Sequence, residues 1–140
     1  YSMSRLYAEL NGLNAACVTV LMDACFSGSK RGEGMLASAR GVALKAKAEA
    51  PKGNMLVMTA AQGSETAYPY KEKKHGLFTY FLLKKLQESK GKVTYGALFD
   101  YVKTNVAQKS VVVNEKSQTP TVAVSGDLVS TWQGIRLNED

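Results

Sequence analysis

The pattern of hydrophobic positions predicts a helix at the start of the chain. Apolar side chains recur there every three or four residues: Met3, Leu6, Tyr7, Leu10 and Leu13. Ser2 precedes them as a candidate N-cap, and Asn11 followed by Gly12 is a stop signal. We therefore predict an amphipathic helix that ends at this Asn-Gly pair.

Three shorter apolar segments predict β-strands. Residues 17–22 and 55–60 are continuous and uncharged, which is typical of strands buried on both faces of a parallel sheet. Residues 119–125 alternate instead, and Pro120 indicates an edge position or a strand entry. If the first two strands are parallel neighbours, their carboxyl ends line one crevice.

Two further helices are predicted between the second and third strands. Residues 77–87 form a strongly apolar segment whose polar face lies at its lysine end. Thr94 is the candidate cap of the next helix, with this buried stripe: Leu98, Tyr101, Val102 and Val106. Helices and strands in this arrangement, with 45% hydrophobic residues, suit an α/β protein.

Two segments lack this periodicity. Residues 28–53 are dominated by Gly, Ala, Ser, Lys and Arg, and we expect a long mobile loop there. Residues 126–140 contain Trp132 and Ile135, and we expect a tail that docks on the rest of the protein.

Length and charge narrow the function classes. The 140 residues suffice for one domain with a real core, and the apolar runs are too short to span a membrane. The net charge of +6 comes largely from lysine clusters, which we interpret as solvated surface. We expect no nucleic-acid partner because no recognition motif or interleaved aromatic pattern accompanies the lysines.

Two cysteines form no disulfide framework, which favours a reducing compartment and leaves the localisation open.

The segment after the first strand carries the candidate chemistry. Asp23 breaks the apolar run at the strand's carboxyl end, and Cys25 follows two residues later, before a Ser-Gly turn. A cysteine beside a charge and a turn favours a nucleophilic role over that of a small buried hydrophobe. Cys17 lies inside the apolar run, and we interpret it as structural.

A cysteine nucleophile needs a base, and histidine is the usual one. The chain has one histidine, His75, which stands next to lysines directly before the apolar helix. A dyad with Cys25 is one interpretation, and a surface histidine is the other. The residues alone favour the surface interpretation.

Residues 18–28, which contain Asp-Ala-Cys-Phe-Ser-Gly after the strand, resemble the nucleophile segment of the caspase-like cysteine peptidases, in particular the bacterial metacaspase-type branch. Residues 58–67 and 75–83 resemble the stretches that follow it in that branch. The resemblance covers most of residues 1–125. It implies a caspase-like three-layer α/β/α fold with a mostly parallel sheet, in which residues 1–140 form the carboxyl-terminal part of one peptidase domain and the amino-terminal strands are missing.

The resemblance also implies a division of the catalytic pair. Cys25 takes the place of the catalytic nucleophile, and its backbone amide takes that of an oxyanion donor. The family's catalytic histidine lies upstream of the cysteine in a His-Gly turn, and no histidine precedes Cys25 here. His75 follows the nucleophile, so the role is not carried onto it. We expect the histidine on an amino-terminal segment of the same protein, because the chain begins at Tyr1 without an initiator methionine.

Substrate preference follows from the resemblance as well. Asp23 matches the aspartate on the floor of the metacaspase-type specificity pocket, which implies cleavage of peptides or proteins after Arg or Lys. The alternative is that Asp23 caps a strand end. Ser64 and Glu65 are candidates for another pocket wall. Residues 28–53 match the loop in which related enzymes are processed, and their basic residues are candidate sites of self-cleavage.

Other functions compete with that of a peptidase. A catalytically inactive caspase-like scaffold is compatible with the histidine's absence from this chain. A small-molecule-binding domain would show a glycine-rich phosphate loop, and the sequence has none. Two cysteines and one histidine far apart give little support for a metal site. Some metacaspases are activated by calcium, but no acidic cluster predicts a calcium site here, and we expect no cofactor.

Overall fold

The computed structural model describes residues 2–24, 50–62 and 65–138. Cys25, Ser64 and nearly all of the predicted loop at 28–53 therefore lie outside the described residues. The elements in chain order are α1 (Met3–Asn11), β1 (Val18–Met22), β2 (Met55–Thr59), β3 (Pro69–Tyr70), β4 (His75–Gly76), α2 (Leu77–Ser89), α3 (Tyr95–Asn114) and β5 (Thr121–Val124). None of the helices described is both long enough and apolar enough to cross a membrane.

The first helix begins and ends where its sequence signals predict. The side chain of Ser2 accepts a hydrogen bond from the Arg5 backbone N–H at 3.3 Å, which satisfies one of the unpaired donors of the first turn. Gly12 follows the last helical residue, and its N–H donates to carbonyls of the final turn. The predicted helix is therefore confirmed.

The three main strands form one mixed sheet in the order β1-β2-β5. β1 and β2 run parallel, with Met22 opposite Thr59, and β5 runs antiparallel to β2, with Thr121 also opposite Thr59. Pro120 stands directly before β5, where its missing N–H costs no ladder hydrogen bond. The carboxyl ends of β1 and β2 therefore lie beside the amino end of β5.

The burial predicted for β1 is wrong. Its residues are only half-buried, and the Leu21 side chain is 43% exposed. The reason is its place in the sheet, since within the described residues β1 pairs with β2 along one edge only. β2 lies between two strands and is the strand buried on both faces, from Met55 to Met58.

The helices α2 and α3 pack on each other and against one face of the sheet. Leu56 and Met58, two residues apart on β2, belong to the same buried cluster as the apolar stripes of both helices. Thr94 caps α3 as predicted, accepting a hydrogen bond from the Ala97 N–H at 3.2 Å. This core holds the amino-terminal end of α2 against the sheet.

The segment after β5 lies against the start of α3. The Trp132 ring is buried and packs edge-on to Phe99, with ring centroids 6.2 Å apart. Two backbone hydrogen bonds, from Tyr95 N to Ile135 O and from Leu137 N to Val93 O, fix the segment to the helix entry.

Candidate active site

The carboxyl ends of β1 and β2 meet at one edge of the sheet, as the sequence predicts for parallel neighbours. The Ala60 N–H donates to the Met22 carbonyl at 2.9 Å and extends the ladder one step beyond the strands. Asp23 follows Met22 directly, so its half-buried side chain starts from this edge. In α/β proteins this is the edge at which ligands bind.

The Asp23 carboxylate is held by α2, far away in the sequence. The Thr79 hydroxyl donates a hydrogen bond to Asp23 Oδ2, with the two oxygens 2.5 Å apart. Such a bond from a hydroxyl to a carboxylate is stronger than one between neutral groups. Thr79 lies in the first turn of α2 and is half-buried, so the hydrogen bond orients the carboxylate at the helix entry.

Gly76 makes room for the carboxylate. A Cβ atom built on Gly76 would overlap Asp23 Oδ2 and would lie 3.0 Å from Asp23 Cγ. The backbone at Gly76 has φ −64° and ψ 149°, a conformation that any L-residue adopts. The glycine is therefore required by the space that Asp23 occupies and not by its backbone conformation.

The position of Asp23 also suits its charge. The structure describes all of α2, and its first turn contains no acidic residue and its N-cap no side-chain hydrogen bond. A helix amino terminus carries partial positive charge from its unpaired N–H groups, so a carboxylate brought there from β1 is stabilised. Asp23 therefore contacts the amino-terminal end of α2 in addition to following the last residue of β1.

Glu65, the candidate pocket wall, binds the entry of β5. Its Oε2 accepts from the Thr119 backbone N–H at 2.5 Å, and its Oε1 accepts from the Thr119 hydroxyl at 3.2 Å. The Gln62 N–H also donates to Oε2 at 3.4 Å. The carboxylate therefore ties the turn after β2 to the strand beside it.

A buried glutamine reinforces the same connection. Gln118 is fully buried, and its Nε2 donates to the Ala60 carbonyl at 2.9 Å. Its Oε1 accepts from the Tyr68 N–H at 2.8 Å, and its own N–H donates to the Ser110 hydroxyl at 3.1 Å. One side chain thus joins the end of β2 to the segment before β3, while its backbone is anchored to α3.

His75 is exposed and pairs with Tyr70 across the two-stranded β3-β4 ladder. Successive side chains of a strand point to opposite faces. Because the Cβ direction of Gly76 points at Asp23, the side chain of His75 points to the other face.

The two cysteines differ in what the structure describes. Cys17 is half-buried and packs against the core cluster, consistent with its structural interpretation. Cys25 follows Asp23 by two residues and is not described.

Across residues 2–24, 50–62 and 65–138, no three His, Cys, Asp or Glu side chains are grouped to hold a metal ion.

Three contact residues were missed by the sequence analysis: Thr79, Thr119 and Gln118. One signal for Thr79 existed, because its hydroxyl interrupts an otherwise apolar segment at the start of a predicted helix. Gln118 shows no comparable signal, since a glutamine before a strand is ordinarily a surface residue.

The model of the Peptidase C14 family, described as the caspase domain, matches residues 3–127. A search of curated proteins returned no match. The matched range begins at the first residue of α1 and ends beyond β5.

Proposed function

Because this chain belongs to the caspase-domain family, we propose that it supplies the nucleophile and the specificity pocket of a cysteine endopeptidase. The observation that carries the proposal is the position of Asp23. Its carboxylate lies at the carboxyl edge of the parallel strand pair, two residues before Cys25, in a chain that the family model matches almost throughout. Membership of a peptidase family implies peptides or proteins as substrates.

The proposed chemistry is acyl transfer to Cys25. The thiolate attacks the scissile carbonyl carbon, a carbon–sulfur bond forms, and the carbon–nitrogen bond breaks as the amine leaves with a proton from a histidine. Water then hydrolyses the thioester and returns the thiol. The Cys25 N–H is proposed as one donor to the developing oxyanion. The histidine is proposed to come from an amino-terminal segment of the same protein, as in the resembling branch.

The proposed specificity is for Arg or Lys on the amino side of the scissile bond. A carboxylate that is half-buried at the carboxyl end of a strand, as Asp23 is, attracts guanidinium or ammonium groups and repels acidic side chains. We assign this recognition to Asp23 and keep Ser64 and Glu65 as candidates for the pocket wall. The Glu65 carboxylate also holds the entry of β5, because it accepts hydrogen bonds from the Thr119 N–H and hydroxyl.

We also propose that the enzyme cleaves itself within residues 28–53. That stretch contains six basic residues: Lys30, Arg31, Arg40, Lys45, Lys47 and Lys52. An enzyme that selects Arg or Lys would accept these as substrates.

The decisive experiment is covalent labelling of the full-length protein. Peptide electrophiles that differ only in Arg, Lys or Asp at the recognised position are incubated with it, and the modified residue is located by peptide mass analysis. We expect the Arg and Lys probes, and not the Asp probe, to modify Cys25. The label should disappear in Cys25→Ala and persist in the matched control Cys17→Ala.

The other outcomes separate the alternatives. Labelling by the Asp probe would refute the assigned specificity. No labelling by any probe, with or without added Ca²⁺, would favour the inactive scaffold. Equal labelling in the presence and absence of Ca²⁺ would support an enzyme that works without a cofactor.

A further inference from the structure

We propose that Thr79 and Gly76 position the Asp23 carboxylate for recognition of the basic substrate side chain, which makes the entry of α2 part of the specificity pocket. This inference rests on the proposed function and extends it to two residues of a different element. Neither residue is proposed to touch the substrate. Both act through the carboxylate that does.

Thr79 fixes the direction of the carboxylate. An aspartate at a strand end has free rotation about its side-chain bonds unless another group holds it, and each rotamer lost on binding weakens affinity. The Thr79 hydroxyl holds Oδ2 at 2.5 Å before any substrate arrives. The ordering cost is therefore met on folding, when α2 packs against the sheet, and not on substrate binding.

Gly76 determines how closely the Asp23 carboxylate can approach the start of α2. Because a Cβ at this position would overlap Oδ2, the Asp23 side chain occupies the volume that any other residue would fill. Gly76 itself is buried, and the carboxylate occupies the place that its side chain would take. A substitution with alanine is compatible with the backbone angles but forces the carboxylate to move.

This arrangement assigns the His75-Gly76 pair a role other than that of a catalytic turn. The pair precedes α2, and the histidine side chain points away from Asp23 while the glycine admits it. In residues 75–79 the positions that matter for the carboxylate are therefore the glycine and the threonine. The competing explanation is that Asp23 only secures the start of α2.

The test measures charge discrimination and not activity alone. Two matched peptides carry Arg or citrulline, its uncharged near-isostere, at the recognised position, and kcat/KM is measured for each on the full-length protein. Thr79→Val should lower kcat/KM for the Arg peptide about tenfold or more, the scale of one hydrogen bond to a charged group. The value for the citrulline peptide should stay within about twofold, because the reacting groups are untouched.

Matched variants control for folding. Thr79→Ser keeps the hydroxyl and should retain most of the Arg preference, and Thr104→Val makes the same chemical change on the exposed face of α3. Gly76→Ala should reduce the Arg preference as Thr79→Val does. Gly126→Ala should not, since among the described residues a Cβ there meets no atom within 4 Å.

The outcomes are distinguishable from a failure of the proposed function. If the unaltered protein cleaves neither peptide, or both equally, the proposed specificity is wrong. If it prefers Arg and both Thr79→Val and Gly76→Ala keep that preference, the positioning role is refuted. A parallel loss for both peptides in these variants, with a lowered unfolding midpoint, would show that Thr79 and Gly76 serve only the stability of α2.

Discussion

Replacing the buried Gln118 by leucine should destabilise the protein more than the same replacement of an exposed glutamine. The Gln118 side chain is fully buried, and its two ends hold the Ala60 carbonyl and the Tyr68 N–H. Leucine has a similar size and makes neither hydrogen bond. The substitution therefore leaves two backbone groups without this partner and creates little empty volume.

The magnitude follows from the burial of those groups. A buried polar group that loses its partner costs about 1–3 kcal/mol, toward the high end where water cannot replace the partner. Ala60 is fully buried and Tyr68 is half-buried, so the carbonyl should carry the larger penalty. We expect a loss of about 3 kcal/mol in the free energy of unfolding, a large part of the 5–15 kcal/mol typical of a domain.

Urea denaturation followed by circular dichroism measures this loss. With a denaturant slope of about 1–3 kcal/mol per molar urea, the midpoint should fall by roughly 1–3 M. Gln108→Leu, on the exposed face of α3, is the matched control and should change stability by less than about 0.5 kcal/mol. If Gln118→Leu unfolds at the same urea concentration as the control, the hydrogen bonds of Gln118 do not hold these segments together and the reasoning fails.

Two further predictions concern self-cleavage and the segment after β5. Incubation of the full-length protein should produce a new terminus after a basic residue within 28–53, detectable by mass spectrometry. Cys25→Ala should abolish the cut and Cys17→Ala should keep it, whereas a cut that persists in Cys25→Ala would rule out self-processing. Trp132→Ala should lower the free energy of unfolding by about 3–5 kcal/mol, the usual range for a buried tryptophan, because its ring packs on Phe99. Trp132→Phe should lose less, and equal unfolding midpoints for the unaltered protein and Trp132→Ala would contradict the packing role.

Much of the fold could be read from local patterns. The helix caps Ser2 and Thr94 were predicted because a capping hydroxyl bonds to a backbone N–H only three residues away. The strands β1, β2 and β5 were predicted because continuous or alternating apolar residues need a sheet to bury them. The resemblance of the short motif around Cys25 to caspase-like peptidases agrees with the match of the caspase-domain model over residues 3–127.

The burial of β1 could not be read in this way. An uncharged apolar run indicates that a strand can be buried on both faces, but it does not say how many neighbours the strand has. Within the described residues β1 has one, so Leu21 remains partly exposed although its sequence resembles that of a central strand.

The candidate site also has one part that the sequence predicts and one part that it does not. Asp23 was a candidate from sequence because a carboxylate directly after an apolar strand must lie at the strand's carboxyl end. Its partner Thr79 is 56 residues away, and the partner of Glu65 is 54 residues away. The first contact depends on how α2 packs on the sheet and the second on how β5 pairs with β2, and no local spacing encodes either arrangement. The sequence alone therefore determines that a carboxylate, that of Asp23, stands at the end of β1. The direction in which this carboxylate points is decided only when α2 packs beside it.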